Sequence, residues 1–386
     1  MTQPAFVMVT TSYPMAGDGR EAAGSFVADL AEEIARSMPV RVVAPGTESR
    51  VEGSDTLRIY RYRAPAKPLS TLKPWNLGDL ASLLSVHSGG SEAVETAVAA
   101  GPVARLLALW ALPSGQWARR AACRHGIPYS IWTLGSDVWS LGKIPVVRNL
   151  LAKVLAQADT CYSDGLQLAE DTRRIGGREV AFLPSTRRID LDRQVPVRSS
   201  PPYRLLFLGR WHSNKGIDLL LQALELLAEN DWARIESVSI CGGGPMQEEV
   251  FREVERLQRA GRPVTRRGYL NKAEAEAAIA SADYLLIPSR IESIPVVFSD
   301  AMKLACPVIS MPVGDLPALI DGYDVGWVAK SVSAHAYAIA ITEALAEVPA
   351  TRTGSLQRCA ETFDLAAIAH NLMSSGGNAD LRDRPK

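Results

Sequence analysis

Short apolar runs alternate along the chain with stretches in which apolar side chains recur every three to four residues. Ala5–Thr11 reads as a buried strand, and Ser25–Arg36 as a helix that sets Phe26, Val27, Leu30 and Ile34 on one face. Pro39–Ala44, Leu106–Trp110, Tyr129–Leu134, Thr160–Ser163 and Val180–Leu183 read as further strands with helices between them. This alternation predicts parallel sheets flanked by helices. Residues 184–203 interrupt it: the stretch is polar, carries four prolines and has no periodicity, so it reads as a linker. The alternation then restarts with a strand at Arg204–Leu208, a helix at Ile217–Glu229, and strands at Val238–Cys241, Tyr284–Ile287 and Pro307–Met311.

Composition narrows the class without naming a function. The 386 residues are enough for two or three domains, and 47% hydrophobic with 22% charged residues argues against disorder. With 42 basic and 42 acidic side chains, the balance gives no support to nucleic-acid binding. The asymmetry between halves is mild: residues 1–200 hold 23 basic and 19 acidic side chains, which suits a first half that meets an acidic acceptor or a membrane surface. Five scattered cysteines and five histidines form no metal-binding spacing, and the cysteines read as reduced thiols of a cytosolic protein. The N-terminus reads as a strand without a basic lead, unlike a signal peptide. The longest apolar run, Leu106–Leu112, is too short to span a bilayer.

Two stretches carry chemistry. In the first, Gly209-Arg210-Trp211-His212-Ser213-Asn214-Lys215-Gly216, a strand ends at a glycine and two cations precede a helix N-terminus. Cations, close backbone approach and the positive end of a helix together favour an anion, and ligands of open α/β sheets bind at strand C-termini. In the second, Pro288-Ser289-Arg290-Ile291-Glu292-Ser293-Ile294-Pro295, a strand leads to a loop bearing Glu292, and Pro295 opens a helix that carries Asp300. Two such carboxylates suit two sets of sugar hydroxyls.

These stretches resemble the retaining glycosyltransferases of the group 1, or family 4, type. The likeness rests on Gly209-Arg210 with Lys215-Gly216, Gly242-Gly243-Gly244-Pro245, Gly268-Tyr269-Leu270, Ala282-Asp283 and a Pro-Ser element leading to the Glu292/Asp300 pair. It implies a GT-B fold: two Rossmann-like α/β domains whose parallel sheets face an interdomain cleft. The domains would be 1–198, on the acceptor side and completed by a crossover helix at about 364–375, and 199–363, which binds the donor. The resemblance implies that Arg210 and Lys215 bind the donor diphosphate, that Glu292 holds the donor sugar and that Asp300 holds the ribose. Gly209, Ser293 and Ile294 are implied donor contacts, and Tyr269 and Leu270 border the base. In the first half, Gly24 is set against the donor phosphate, with Gly17 as its rival, and Asp137 of Thr133-Leu134-Gly135-Ser136-Asp137 on the acceptor or donor side.

The implied partners are a nucleotide sugar and an acceptor glycan or lipid-linked sugar, with no nucleic acid, no cofactor and no metal. The sequence departs from the family at several points. Asp300 replaces a Glu, Leu134 stands where a His is common, Pro184-Ser185-Thr186-Arg187-Arg188-Ile189-Asp190 replaces Pro-Asn-Gly-Val-Asp, and Val313-Gly314-Asp315 replaces a Gly-Gly turn. A sugar-nucleotide epimerase of the same architecture and a non-catalytic sugar-nucleotide-binding subunit remain as alternatives. Gly17-Asp18-Gly19-Arg20-Glu21-Ala22 spells GxGxxA too far from the first strand for dinucleotide binding. Asp190-Leu191-Asp192 spells a metal-type DxD but lies in the linker and reads as solvated. The helix Val146–Gln157, flanked by Lys143, Arg148 and Lys153, reads as core-facing, with a peripheral membrane contact as the other option.

Overall fold

The computed structural model describes residues 3–15, 24–65 and 76–374. The chain divides into two compact units, one of residues 1–184 with 365–386 and one of residues 185–364. The GxGxxA stretch and Gly17 lie outside the described residues.

The first unit contains β1 (Ala5–Val9), β2 (Val40–Gly46), β3 (Arg50–Gly53), β4 (Leu57–Arg63), β5 (Val103–Leu109), β6 (Tyr129–Thr133), β7 (Thr160–Ser163) and β8 (Ala181–Phe182). They form one sheet in the order β3-β4-β2-β1-β5-β6-β7-β8, parallel except for the β3–β4 pair. The β3–β4 hairpin is absent from the sequence reading. Its strands are rich in arginine, and charged side chains at an edge mask the alternation that marks a strand. Helices Leu77–Ala99, Ser114–His125 and Pro145–Ala156 share one core layer with Tyr62, Trp117 and Leu151. Helices Ser25–Ala35 and Leu365–Ser374 share the layer on the other face through Val27, Leu30, Ile368 and Leu372.

The second unit contains β9 (Tyr203–Leu208), β10 (Ile235–Cys241), β11 (Val264–Arg267), β12 (Tyr284–Ile287), β13 (Val308–Ser310) and β14 (Gly326–Val328). Their all-parallel order is β11-β10-β9-β12-β13-β14. The order reverses between β9 and β12, which is the topological switch point where open α/β sheets leave a crevice at their strand C-termini. In the first unit the reversal falls between β1 and β5.

Two boundaries move relative to the sequence reading. The helix expected over Ile217–Glu229 stops at Glu225; Asp231 accepts a hydrogen bond from the Ala228 amide (3.1 Å) and starts a separate short turn, Glu229–Trp232. The domain boundary expected after residue 198 lies after Pro184. Residues 185–198 are not a free linker, because their side chains are tied to the second unit. Thr186 Oγ1 bonds Ser299 Oγ (3.1 Å), and Arg193 donates to the carbonyls of Leu304 (2.6 Å), Ile279 (2.9 Å) and Ala282 (2.8 Å). The Arg198 amide donates to Asp283 (3.0 Å).

Candidate functional site

The β9/β12 switch point is built from two loops that grip one another. After β9, Gly209 donates its amide to Cys241 O (3.1 Å), and Trp211 donates its amide to Gly243 O (2.8 Å). His212 Nδ1 accepts from the Asn214 amide (3.1 Å) and starts the turn Ser213–Lys215. Gly216 ends that turn at φ +67° and begins the helix Ile217–Glu225; a Cβ there would lie 1.8 Å from Pro288 O. Only glycine lets the two loops approach so closely.

The second loop supplies the reciprocal contacts. Lys215 Nζ pairs with Glu292 Oε1, which also accepts from Ser289 Oγ (3.1 Å). Arg290 grips both oxygens of Asp218 (2.7 and 2.5 Å) and donates to Ser213 O (2.7 Å). Burial works to raise the Asp218 carboxyl, but Arg290 outweighs it and holds the group below its ordinary value. Gly314, at φ +54°, packs so that a Cβ would lie 2.3 Å from Glu292 O. The Val313-Gly314-Asp315 turn therefore keeps the one glycine this contact needs.

The structure thus brings together Lys215, Glu292 and Ser289 at the C-terminal ends of β9 and β12. Arg210 is exposed in the same loop and makes no ion pair among the described residues. Ser293 and Ile294 are buried beside Glu292, and the Ser293 hydroxyl has no protein hydrogen-bond partner. Tyr269 lies over the glycine turn and donates from its hydroxyl to Gly243 O (2.7 Å), while Leu270 is buried.

Asp300, the acid that the resemblance sets at the ribose, is buried and ion-paired. It is 1% exposed, and Arg187 grips its Oδ2 through Nε (2.8 Å) and through a terminal nitrogen (2.5 Å). Lys303, one turn on, donates to Thr186 Oγ1 (2.8 Å) and Arg187 O (2.7 Å). The segment read as a linker therefore supplies a buried cation to the acid pair. Arg187, Arg290 and Asp218 were missed as site-building residues; the one available signal was the replacement of a short Pro-Asn-Gly-Val-Asp by the arginine-bearing 184–190 segment. Asp190 of the DxD pairs with Lys272 (2.8 Å), and that bond holds its carboxyl below the ordinary range.

In the first unit, Gly24 stands at φ +76° ahead of helix Ser25–Ala35, and a Cβ there would meet the Ser12 carbonyl carbon at 2.5 Å. This packs the helix start closely on the chain that follows β1. Asp137 is 1% exposed and accepts from the amides of Ala111 (2.7 Å) and Leu134 (3.3 Å). Burial raises its carboxyl, and these backbone bonds oppose the rise. Trp110, at φ 65°, is a bulky side chain in the left-handed region at the end of β5, its ring edge-on to Phe26 at 6.2 Å. Among the described residues no group of three or more His, Cys, Asp or Glu gathers to hold a metal.

The order of strands, the two glycine-bearing loops and the Lys215–Glu292 pair meet their family in comparisons with known proteins. The model of group 1 glycosyl transferases matches residues 202–347, and that of the glycosyl transferase 4-like domain matches residues 22–186. The chain belongs to the group 1 glycosyltransferases. Among curated relatives, D-inositol 3-phosphate glycosyltransferase of Corynebacterium aurimucosum is 31% identical over 37% of this chain and 35% of its own. The putative teichuronic acid biosynthesis glycosyltransferase TuaC of Bacillus subtilis is 27% identical over 60% of this chain and 59% of its own. The matches thus span from about a third to three fifths of these relatives' lengths.

Solved structures extend the likeness over the whole fold. Sucrose-phosphate synthase from Thermosynechococcus elongatus superposes with a TM-score of 0.71 at 20% identity, covering 96% of this chain and 97% of that one. Anabaena HepE in complex with UDP and glucose superposes with a TM-score of 0.68 at 14% identity, covering 96% and 98%. The group 1 glycosyltransferase described here has the GT-B fold, two Rossmann-like α/β domains.

Proposed function

We propose that this group 1 family member transfers a glycosyl group from a nucleoside-diphosphate sugar to a hydroxyl of a glycan or lipid-linked sugar acceptor, with retention at the anomeric carbon. The observation that carries the reading is the meeting of Lys215, Glu292 and Ser289 at the β9/β12 switch point, with Arg290 and Asp218 bracing the loops behind them. Breaking the anomeric C–O bond places charge on the leaving diphosphate. Arg210, Lys215 and the N-terminus of helix Ile217–Glu225 are cations and dipoles for that charge, positioned before it develops. Glu292 meets the transferring sugar. The acceptor oxygen forms its bond on the face the diphosphate leaves, and the leaving oxygen takes the acceptor proton. Arg187 balances the Asp300 carboxylate and fixes its orientation beside the ribose.

The HepE complex makes UDP the first donor nucleotide to test. All five cysteines are free thiols, which supports a cytosolic placement, and no helix among the described residues is long and apolar enough to cross a membrane. The test is a thermal-shift panel of UDP, GDP, ADP and their sugars, followed by turnover in excess chelator and an NMR assignment of the product anomer. One donor at a hundredfold its Kd is expected to stabilise by about 2.7 kcal/mol. Turnover is expected to survive chelation because the cationic loop stands in place of a metal. A panel without any stabilising nucleotide, or an inverted product, overturns the proposal.

A further inference from the structure

The two cations of the loop after β9 are held differently. Arg210 is exposed and makes no ion pair among the described residues. Lys215 ends the turn Ser213–Lys215, and its Nζ is paired with Glu292 Oε1 of the facing loop. The two partners are also unequal. The Glu292 side chain is 13% exposed and anchored by Ser289 Oγ (3.1 Å), whereas the Lys215 side chain is 37% exposed. A lysine is a point charge on a flexible aliphatic stem, so Lys215 is the arm that swings while the carboxylate stays.

The loops are clamped on either side of this pair. Before Lys215, the Arg290 amide donates to Asn214 O (2.8 Å) and the Arg290 guanidinium to Ser213 O (2.7 Å). After it, Gly216 lies against Pro288 O, and Arg290 grips Asp218. The pair therefore opens by rotation of the lysine and not by separation of the loops. An anion that takes Lys215 takes it from Glu292. It leaves a largely buried carboxylate with Ser289 as its remaining hydrogen-bond partner among the described residues. A carboxylate stripped of its cation in such a place is unfavourable, and more so beside the anion that displaced it.

We infer that the Lys215–Glu292 pair is an internal latch that sets the donor site against a nucleoside diphosphate carrying no sugar. The inference rests on the proposed function and adds a selectivity to that same site. A nucleotide sugar brings both replacements: diphosphate oxygens accept from Lys215, and sugar hydroxyls donate to Glu292. A free nucleoside diphosphate brings only the first, and its titrating terminal phosphate makes it the more negative ligand. The asymmetry returns after transfer. Once the glycosyl group has left, Glu292 loses its hydroxyl partners, and the pair re-forms as the nucleotide departs. Arg210 has no internal partner to surrender and attracts both ligands alike.

The experiment is calorimetric titration of the full chain with UDP, GDP and ADP, and with UDP-glucose, GDP-mannose and ADP-glucose, into the millimolar range. Glu292→Gln keeps the side-chain length and an oxygen for Ser289 but removes the charge. It is expected to tighten whichever free nucleoside diphosphate binds by about 10-fold, the low end for a hydrogen bond to a charged group. A nucleotide sugar is expected to gain nothing, because it loses its own contact with the carboxylate. Removing a negative charge near an anion also tightens binding without any latch, and two backgrounds separate the cases. The gain is expected to vanish when Lys215→Met is already present and to persist when Arg210→Met is. A gain that survives Lys215→Met, an equal gain for the nucleotide sugar, or no gain at all overturns the latch and leaves the proposed function standing. Binding of none of these ligands overturns the proposed function and the latch with it.

Discussion

The two units carry the same kind of crevice, and they furnish it in opposite ways. At the β9/β12 switch point, charged side chains reach from one loop to the other: Lys215 to Glu292, and Arg290 to Asp218. Around the β1/β5 switch point, charged side chains chiefly serve the backbone. Arg61 of β4, paired with Glu52 (2.8 Å), donates to Pro45 O (2.9 Å) and Pro14 O (2.9 Å), and Asp137 accepts from Ala111 and Leu134. Glycine does similar work in both places, since Gly24 and Gly216 each bring a helix start against a neighbouring main chain. A charged residue near a strand end is therefore a weak pointer to a ligand until its bonds are known. What distinguishes the second unit is charge that pairs across loops and stays within reach of a ligand.

The comparison is broken most severely at Arg187. Removing one partner of a buried ion pair leaves the other charge uncompensated, at a cost of about 3–5 kcal/mol. Arg187→Met is expected to lower the thermal midpoint by roughly 10 °C and to weaken donor binding. Replacing both partners, Arg187→Met with Asp300→Leu, is expected to recover most of the stability but not the donor binding. Asp137→Ala is the matched change in the first unit: it loses two backbone bonds, costs about 2 kcal/mol, and leaves the donor affinity of the second unit unchanged. Calorimetry with and without nucleotide measures both. If Asp137→Ala weakens the donor as much as Arg187→Met does, the division of labour between the units fails.

Gly216→Ala comes next. The left-handed backbone costs about 1–2 kcal/mol for a residue with a Cβ, and crowding against Pro288 O adds about 1–3 kcal/mol. Gly177 is the control: it has φ +65° with nothing within 4 Å of an added Cβ. Gly177→Ala is expected to show the backbone cost alone. Equal losses in the two variants, read from denaturant midpoints, would remove the argument that only the absence of a Cβ lets the two loops approach so closely.

Lys215→Ala leaves Glu292 with Ser289 and removes a cation from the diphosphate. A hydrogen bond to a charged group is worth about 1.5–3 kcal/mol, so kcat/KM is expected to fall about 10- to 150-fold with little change in thermal midpoint. Near-normal kcat/KM with every donor would show that this cation serves the loop and not the leaving group.

Much of this was legible because it is local. The strand-loop-helix of residues 204–225 and the Glu292 loop each lie within one short stretch, so their order along the chain already shows which groups share a strand end. The Lys215–Glu292 meeting needed only the β9–β12 adjacency that a Rossmann-like order supplies. The hidden parts are non-local. Arg187 pairs with Asp300 across 113 residues of sequence, and nothing about a proline-bearing polar stretch shows that it is pinned to a sheet. Asp137 was placed on the acceptor or donor side by the resemblance of Thr133–Asp137 to a family element; its burial against the Ala111 amide after β5 is something no spacing reveals. The arginine-rich β4 hid for a related reason: the register of an edge hairpin is set by its partner strand and not by its own apolar pattern.

The smallest effect expected is in acid. Asp218 is held below its ordinary value because Arg290 outweighs the effect of burial. A carboxyl with a lowered folded pKa stabilises the fold fully above its unfolded pKa, about 3.9, and that contribution is lost as pH falls through the folded value. Arg290→Gln keeps a hydrogen-bonding side chain but removes the charge. Near neutral pH it is expected to be less stable than the parent by about 1 kcal/mol, the scale of a partly exposed pair. Once the pH lies below the folded pKa the two stability curves should converge, because the parent has then lost what the variant never had. Urea midpoints taken across this range decide it. A gap that stays constant through the acid limb would mean that Arg290 acts through its bond to Ser213 O, and that the brace between the loops is a backbone contact and not an ion pair.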